Sequence, residues 1–181
     1  MKPAIFLDRD GVIIENQANY VRSWADVSIF PQALKALASL SKLPYSIVIV
    51  TNQSAIGRGI ISQEQAEKIN SRLINEITKA GGRIDAVYMC PHAPQTECSC
   101  RKPKPGLLLQ AAKHLSLDLQ HSLIIGDALS DLKAGQLAGL KSSILVLTGR
   151  GFAQAQLKEA QTLLPFSTYN SLFDAYTDLF Q

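Results

Sequence analysis

No apolar run in the sequence approaches the ~18 residues needed to cross a bilayer; one of the longest, Ser46-Ile-Val-Ile-Val50, falls far short. Runs of Lys and Arg are also missing. With 18 Lys plus Arg against 15 Asp plus Glu, the formal net charge is only +3. That balance carries no footprint for nucleic acid or for an anionic membrane. Met1-Lys2-Pro3 leads straight into Ala4-Ile-Phe-Leu7, with no apolar signal region and no cleavage site, so a cytoplasmic protein is expected. Cysteine is scarce: three residues cannot all pair with one another, which argues against a disulfide-stapled secreted domain. Three buried thiols, or a metal site, remain open. What is present is ordinary for a folded core, with 46% hydrophobic and 18% charged residues over 181 positions. At about 150 residues per domain, residues 1–181 read as a single domain, with no linker, repeat or low-complexity tract.

Short β-rich runs alternate with helical periodicity. Ala4–Leu7 reads as a buried strand. Pro31 opens a helix at its first position, with Leu34, Leu37 and Leu40 on one face. Tyr45–Thr51 is a β-branched strand bounded by Pro44 and Asn52. Ser62 and Gln65 form a capping box for a helix that Gly81-Gly82 stops. Strands follow at Ile84–Met89, Ser122–Ile125 and Ser143–Leu147, with helices at Gly106–Leu115 and Asp131–Ala138 between them. The tail offers one amphipathic piece near Gln154–Gln161 and a last helix near Ser171–Phe180. Strands separated by helices of this length imply right-handed crossovers and an α/β fold, a parallel sheet covered on both faces. Sites in such sheets lie at the carboxyl ends of the strands. Those ends carry Asp8-Arg-Asp10, Thr51-Asn-Gln-Ser54, the Cys90 loop and Gly126-Asp127.

Asp8 and Asp10, two apart at a strand end, point to the same side if the chain is still extended there. Two acids held together share a proton or a cation. With the second cluster, Asp127-x-x-x-Asp131, they offer hard oxygen ligands suited to Mg²⁺. Thr51 supplies a hydroxyl, and the backbone N–H groups of Asn52, Gln53 and Ser54 could form an anion nest. Arg101 and Lys102 add positive charge. A cation, amides, a hydroxyl, Lys and Arg around two carboxylates describe a phosphate site, and phosphoryl transfer needs mostly positioning and charge neutralisation.

Asp8-Arg-Asp10-Gly11-Val12, Thr51, Lys102 and Gly126-Asp127-x-x-x-Asp131 resemble, in order, the four motifs of the haloacid dehalogenase superfamily. The resemblance implies a single doubly wound, Rossmann-like sheet of that superfamily's type. It implies that Asp8 is the nucleophile carrying an aspartyl-phosphate and that Asp10 is the general acid and base. Thr51 and Lys102 would hold phosphoryl oxygens, and Asp8, the Asp10 carbonyl and Asp127 would ligate Mg²⁺. Val12 stands where many members have Thr. The segment from Val12 to Phe30 leaves no room for a separate cap domain. Tyr20 and Trp24 within it could wall the pocket or pack the loop onto the sheet.

Cys90-Pro-His92, Cys98 and Cys100 crowd all three cysteines and one histidine into a loop spanning 90–105. Cys₃His is an accepted tetrahedral Zn²⁺ set, and with no position left for water the metal would be structural. The loop continues into Arg101-Lys-Pro-Lys-Pro-Gly106. Together with Thr51-Asn-Gln-Ser-Ala-Ile-Gly-Arg-Gly59 and Asn19-Tyr20-Val21, this is similar to the zinc-containing branch that removes the 7-phosphate from heptose bisphosphate. That branch implies a small phosphorylated sugar as substrate, and the chain is expected to act as a monomer. Its substrate contacts would be Arg9, Asn19, Tyr20, Asn52, Gln53, Ser54 and Arg101. The close relative with the same loop acts on histidinol phosphate, and Ser54 together with the Lys-Pro-Gly ending favours the sugar branch. Ala128 departs from the Lys that often follows the metal Asp, and the 12–20 loop is one residue longer than usual. A zinc-stabilised phospho-receiver or binding module is the reading from another class. Asp10 counts against it, since a receiver needs no second acid at the leaving group. A nucleic-acid end phosphatase would need a basic stripe, which is missing.

Overall fold

The computed structural model describes residues 1–181. Six strands, β1 (Lys2–Leu7), β2 (Ser46–Asn52), β3 (Ala86–Cys90), β4 (Leu117–Gly126), β5 (Ser142–Val146) and β6 (Ser167–Tyr169), form one sheet in the order β3-β2-β1-β4-β5-β6. Every pairing is parallel. The chain winds outward from β1 in both directions, so β1 and β4 flank the point where the strand order reverses.

Alternation along the strands divides the core. Ile5 and Leu7 of β1, Ile47 and Ile49 of β2 and Ile125 of β4 face α1 (Pro31–Leu40), α3 (Gln63–Lys79) and α8 (Leu172–Phe180). Phe6, Val48, Val50 and Ile124 face α4 (Gly106–Leu115) and α5 (Leu129–Leu137) on the other side, and the one-turn α2 (Ser54–Gly57) follows β2. A strand buried on both faces must be apolar at successive positions, which is why these runs read as continuous rather than alternating. Helices on both faces make the sheet doubly wound, as the sequence implies.

The differences lie at the margins. The expected strand at Ser122–Ile125 begins earlier, at Leu117, and its register against β1 shifts between Pro3 and Ile5. The amphipathic piece expected over Gln154–Gln161 is two short helices, α6 (Gly151–Ala155) and α7 (Lys158–Thr162), because Leu157 is extended at φ −72° and ψ 142°. β6 escaped the pattern because it is three residues long and two of them are exposed. Ser62 does cap α3, accepting from Gln65 N at 3.0 Å, but the Gln65 side chain reaches Arg22 O rather than back to Ser62. Between β1 and α1 the chain makes isolated bridges, Asp10 with Ile14 and Ile14 with Ile29, and a 3-10 turn at Trp24–Asp26. No helix is long and apolar enough to cross a membrane.

Candidate active site

Leu7 is in register with Ile49 on one side and Ile125 on the other, so three chain segments leave the sheet together. They deliver Asp8, Thr51 and Asp127 to one crevice, and Asp8 N donates to Ile125 O at 3.0 Å. A cleft of about 520 Å³ opens there, lined by Asp8, Asp10, Thr51, Lys102, Asp131 and Arg150 among others.

Lys102 is 3% exposed, and its three N–H donors are all used. Nζ lies 2.9 Å from Asp8 Oδ1, 2.6 Å from Asp131 Oδ1 and 2.7 Å from Val50 O. Burial alone would lower this lysine; Asp131, then Asp8, hold it well above the usual lysine range. Lys102 takes Asp8 Oδ1 and leaves Oδ2 available to the cleft. Burial raises Asp8 from its ordinary 3.8 to about 6; Lys102 opposes that rise, while Asp131 and Asp10 add to it. Asn52 fixes the lysine's backbone: its Nδ2 donates to Lys102 O at 3.1 Å, and Lys102 N donates to its Oδ1 at 3.1 Å.

Asp10 is gripped from behind. Arg9 Nε donates to Oδ2 at 3.0 Å and Nη2 to Oδ1 at 3.1 Å, while Nη1 reaches Asn70 Oδ1 at 2.8 Å. Arg9 is 1% exposed and does not line the cleft, which corrects its expected place among substrate contacts. Its fork is used up on Asp10 and α3. Gln53 Nε2 donates to Asp10 Oδ2 and to Thr51 Oγ1, both at 2.9 Å. Of the three N–H groups expected to form an anion nest, that of Gln53 is taken: β2 runs on to Asn52, and Gln53 N donates to Cys90 O at 2.8 Å.

Asp8, Asp127 and Asp131 bring carboxylate oxygens within 4.8 Å of one another, and all three are buried. Lys102 and Arg150 are the compensating cations. Asp131 Oδ2 also accepts from Ala128 N at 3.1 Å, which caps α5. Asn16 Oδ1 is buried with no hydrogen-bond partner. A Cβ on Gly149 would lie 2.2 Å from that oxygen and 2.5 Å from Asp127 Oδ2, so the orphan acceptor sits beside the carboxylate. Buried acids in excess of cations, with an unsatisfied amide oxygen next to them, fit a hard divalent cation. Burial raises Asp127, with Arg150 opposing the rise.

Sequence reasoning missed Arg150. Its backbone N lies 2.8 Å from Asp127 Oδ2, Nε 3.3 Å from the same oxygen, and Nη2 3.0 Å from Oδ1. The carboxyl-end rule, applied to the fifth strand as it was to the others, leads directly to Thr148-Gly149-Arg150. Thr148 Oγ1 ties that loop to Gly11 O at 2.6 Å.

The Cys90 loop gathers as expected. Cys90 Sγ lies 3.2 Å from Cys100 Sγ, 3.8 Å from Cys98 Sγ and 3.6 Å from His92 Nδ1; His92 Nδ1 lies 3.3 Å from Cys100 Sγ. Ligands at Zn–S and Zn–N distances of about 2.3 and 2.1 Å stand about 3.5–3.8 Å apart at tetrahedral corners. The sulfurs are too far apart for disulfides, and all three cysteines are free. Burial, then Cys90 and Cys98, push the Cys100 thiol up to about 12, and burial also raises Cys90, so these two give up their protons only to a cation that binds them. Arg101 Nη1 donates to His92 O at 3.2 Å, which ties the loop to the cleft.

Of the remaining candidates, Tyr20, Asn52, Ser54 and Arg101 line the cleft and Asn19 does not. Asn19 is exposed beside Tyr20, whose φ of 63° turns the chain there. Trp24 packs against the core instead, with the Arg72 guanidinium 4.6 Å over its ring.

Comparison with known proteins agrees with this geometry. Residues 99–174 match the HAD-hydrolase-like family model. The D-glycero-beta-D-manno-heptose-1,7-bisphosphate 7-phosphatase of Photorhabdus laumondii is 37% identical over 179 residues, covering 95% of this chain and 92% of that protein. The enzyme of the same organism named for the alpha anomer is 37% identical over 151 residues, covering 80% and 82%. The crystal structure of the D,D-heptose 1,7-bisphosphate phosphatase from B. bronchiseptica, complexed with magnesium and phosphate, superposes with a TM-score of 0.89 at 34% identity, covering 98% of this chain and 97% of that one. The chain belongs to the family of heptose-1,7-bisphosphate 7-phosphatases within the haloacid-dehalogenase-like hydrolases.

Proposed function

We propose that this chain, a single domain without a cap, removes the 7-phosphate of D-glycero-D-manno-heptose 1,7-bisphosphate in a Mg²⁺-dependent reaction. The observation that carries it is Lys102 fixed between Asp8 and Asp131, with Asp10 two residues from the nucleophile and held by Arg9 and Gln53. Asp8 Oδ2 attacks phosphorus and the bond from phosphorus to the sugar oxygen breaks. Asp10 gives its proton to the departing alkoxide. Asp10 then takes a proton from water, which attacks the phosphorus and releases phosphate from Asp8. Thr51 holds a phosphoryl oxygen, while Lys102, its donors on Asp8, Asp131 and Val50 O, offsets the spreading charge from beside the nucleophile. Asp8, the Asp10 carbonyl and Asp127 would hold Mg²⁺, which screens the phosphate's charge from the attacking carboxylate. Cys90, His92, Cys98 and Cys100 would hold a structural Zn²⁺ that fixes Arg101 at the cleft. Tyr20, Ser54 and Arg101 are the substrate contacts on the cleft wall. Asn52 and Gln53 line it while positioning Lys102 and Asp10. The enzyme acts as a cytoplasmic monomer.

The relatives favour the sugar over histidinol phosphate, and they include enzymes named for each anomer. Turnover of both heptose bisphosphate anomers, fructose bisphosphate and histidinol phosphate tests the reading. A heptose bisphosphate should give the highest kcat/KM; histidinol phosphate in first place would overturn it.

A further inference from the structure

Three cations line the cleft: Arg101, Lys102 and Arg150. Lys102 is fully occupied by Asp8, Asp131 and Val50 O. The residue after Asp127 is Ala128, apolar and buried, so the start of α5 brings no positive side chain. A bisphosphate carries a second, non-reacting phosphate, and the cations with donors to spare are Arg101 and Arg150. Arg150 is the better placed to change partners. Its side chain is 56% exposed while the Asp127 side chain it grips is fully buried. Nε and Nη2 are on Asp127, and Nη1 makes no hydrogen bond.

Asp127 cannot give the same oxygens to a guanidinium fork and to a divalent cation at full strength. If the metal takes Asp127, the fork is freed at the cleft wall. The carboxylate keeps its aim all the same, because the Arg150 backbone N–H at 2.8 Å stays on Oδ2 after the side chain leaves. A planar fork with its donors released suits a phosphate, which it binds through two parallel bonds.

Resting on the heptose bisphosphate reading, we propose that Arg150 is a specificity-determining residue: it holds Asp127 while the metal is absent and passes to the substrate's second phosphate once the metal is bound. Arg101 faces the same phosphate from the zinc loop.

The test uses the full chain and the substitution R150Q. Calorimetric titration with Mg²⁺ alone, without substrate, should show several-fold tighter binding in R150Q than in the wild type. Steady-state rates should show the KM for heptose bisphosphate raised at least tenfold. The ratio of kcat/KM for heptose bisphosphate to that for heptose 7-phosphate should fall at least tenfold as well. A purely structural role would lower both substrates alike and leave that ratio unmoved. R150K, which keeps the charge and loses the fork, should fall between the two and stands in if R150Q does not fold. Unchanged or weaker Mg²⁺ binding, or an unchanged ratio, overturns the proposal. A wild-type protein with no preference for the bisphosphate overturns the functional reading instead, and the metal titration still decides whether Arg150 competes for Asp127.

Discussion

Asn52 and Lys102 hold each other by two reciprocal hydrogen bonds of 3.1 Å between the Asn52 amide and the Lys102 backbone. The pair joins the end of β2 to the zinc loop and sets the start of the side chain that must reach Asp8. Asn52→Ala removes both bonds, about 1 kcal/mol each, and leaves a partly buried carbonyl and N–H without partners. We expect kcat to fall about ten- to a hundredfold with a smaller change in KM, measured as phosphate release. Asn52→Asp should be no better, because a carboxylate oxygen then faces the Lys102 carbonyl. A kcat within twofold of the wild type would show that Lys102 does not depend on this clamp.

Legibility in the sequence followed range. β1, β2 and the second half of β4 are short apolar runs whose burial on both faces is written in consecutive residues, and Asp8, Thr51 and Asp127 are read from their ends. The Cys90 loop gathers its ligands within a few positions. Arg150 stands at the carboxyl end of β5, where the strand-end rule points, but its partner cannot be read there; Arg150 and Asn16 meet Asp127 only because the β5 and β1 loops cross over it. The direction of the Arg9 side chain is not visible from its position beside Asp10: Asn70 of α3 turns it inward. The Gln53 N–H is lost to the expected amide nest for a related reason: the extent of β2 is decided by pairing with β3.

The crossing of those two loops can be tested at Gly149. Its φ is +57°, and an added Cβ would meet Gly11 Cα at 2.4 Å and Asp127 Oδ2 at 2.5 Å. Neither backbone nor a fully buried carboxylate can yield cheaply. Gly149→Ala should lose about 1–3 kcal/mol of stability from the conformation alone. Activity should drop by more than that loss explains, because Asp127 is pushed from its place. Thermal melting and phosphate release, measured on the same preparation, separate the two effects. Gly139, also at positive φ but with nothing within 4 Å, is the control: Gly139→Ala should lose stability and keep activity.

Zinc should be measurable directly. Elemental analysis should find about one Zn per chain, and Cys98→Ala should lose it. Arg101 hangs on the His92 carbonyl and Lys104 Nζ on Cys98 O at 2.7 Å, so a loosened loop releases both cations. KM should therefore rise at least severalfold, and the melting temperature should fall, since metal binding free energy is folding free energy for the segment that it ties. A zinc-free protein of equal stability and KM would leave the cluster as three thiols and a histidine with no structural task.

Asp8→Asn separates chemistry from electrostatics. Without its nucleophile the protein should release no phosphate while keeping its fold; retained turnover would exclude the covalent route. Stability carries a second signature, read in chelator so that no metal intervenes. The Asp8 carboxyl is raised from 3.8 to about 6, chiefly by burial, so the folded state holds its proton more tightly than the unfolded chain does. Its favourable contribution is complete below about pH 4 and is lost as pH rises through about 6. At 1.36 kcal/mol per pKa unit, the loss is roughly 3 kcal/mol at most. The D8N amide does not titrate and escapes it, while Lys102 keeps Asp131 and Val50 O as partners. The melting temperature of D8N minus that of the wild type should therefore climb by several degrees between pH 4 and pH 7. A difference that stays flat across that window would mean that Lys102 neutralises Asp8 fully in the folded protein.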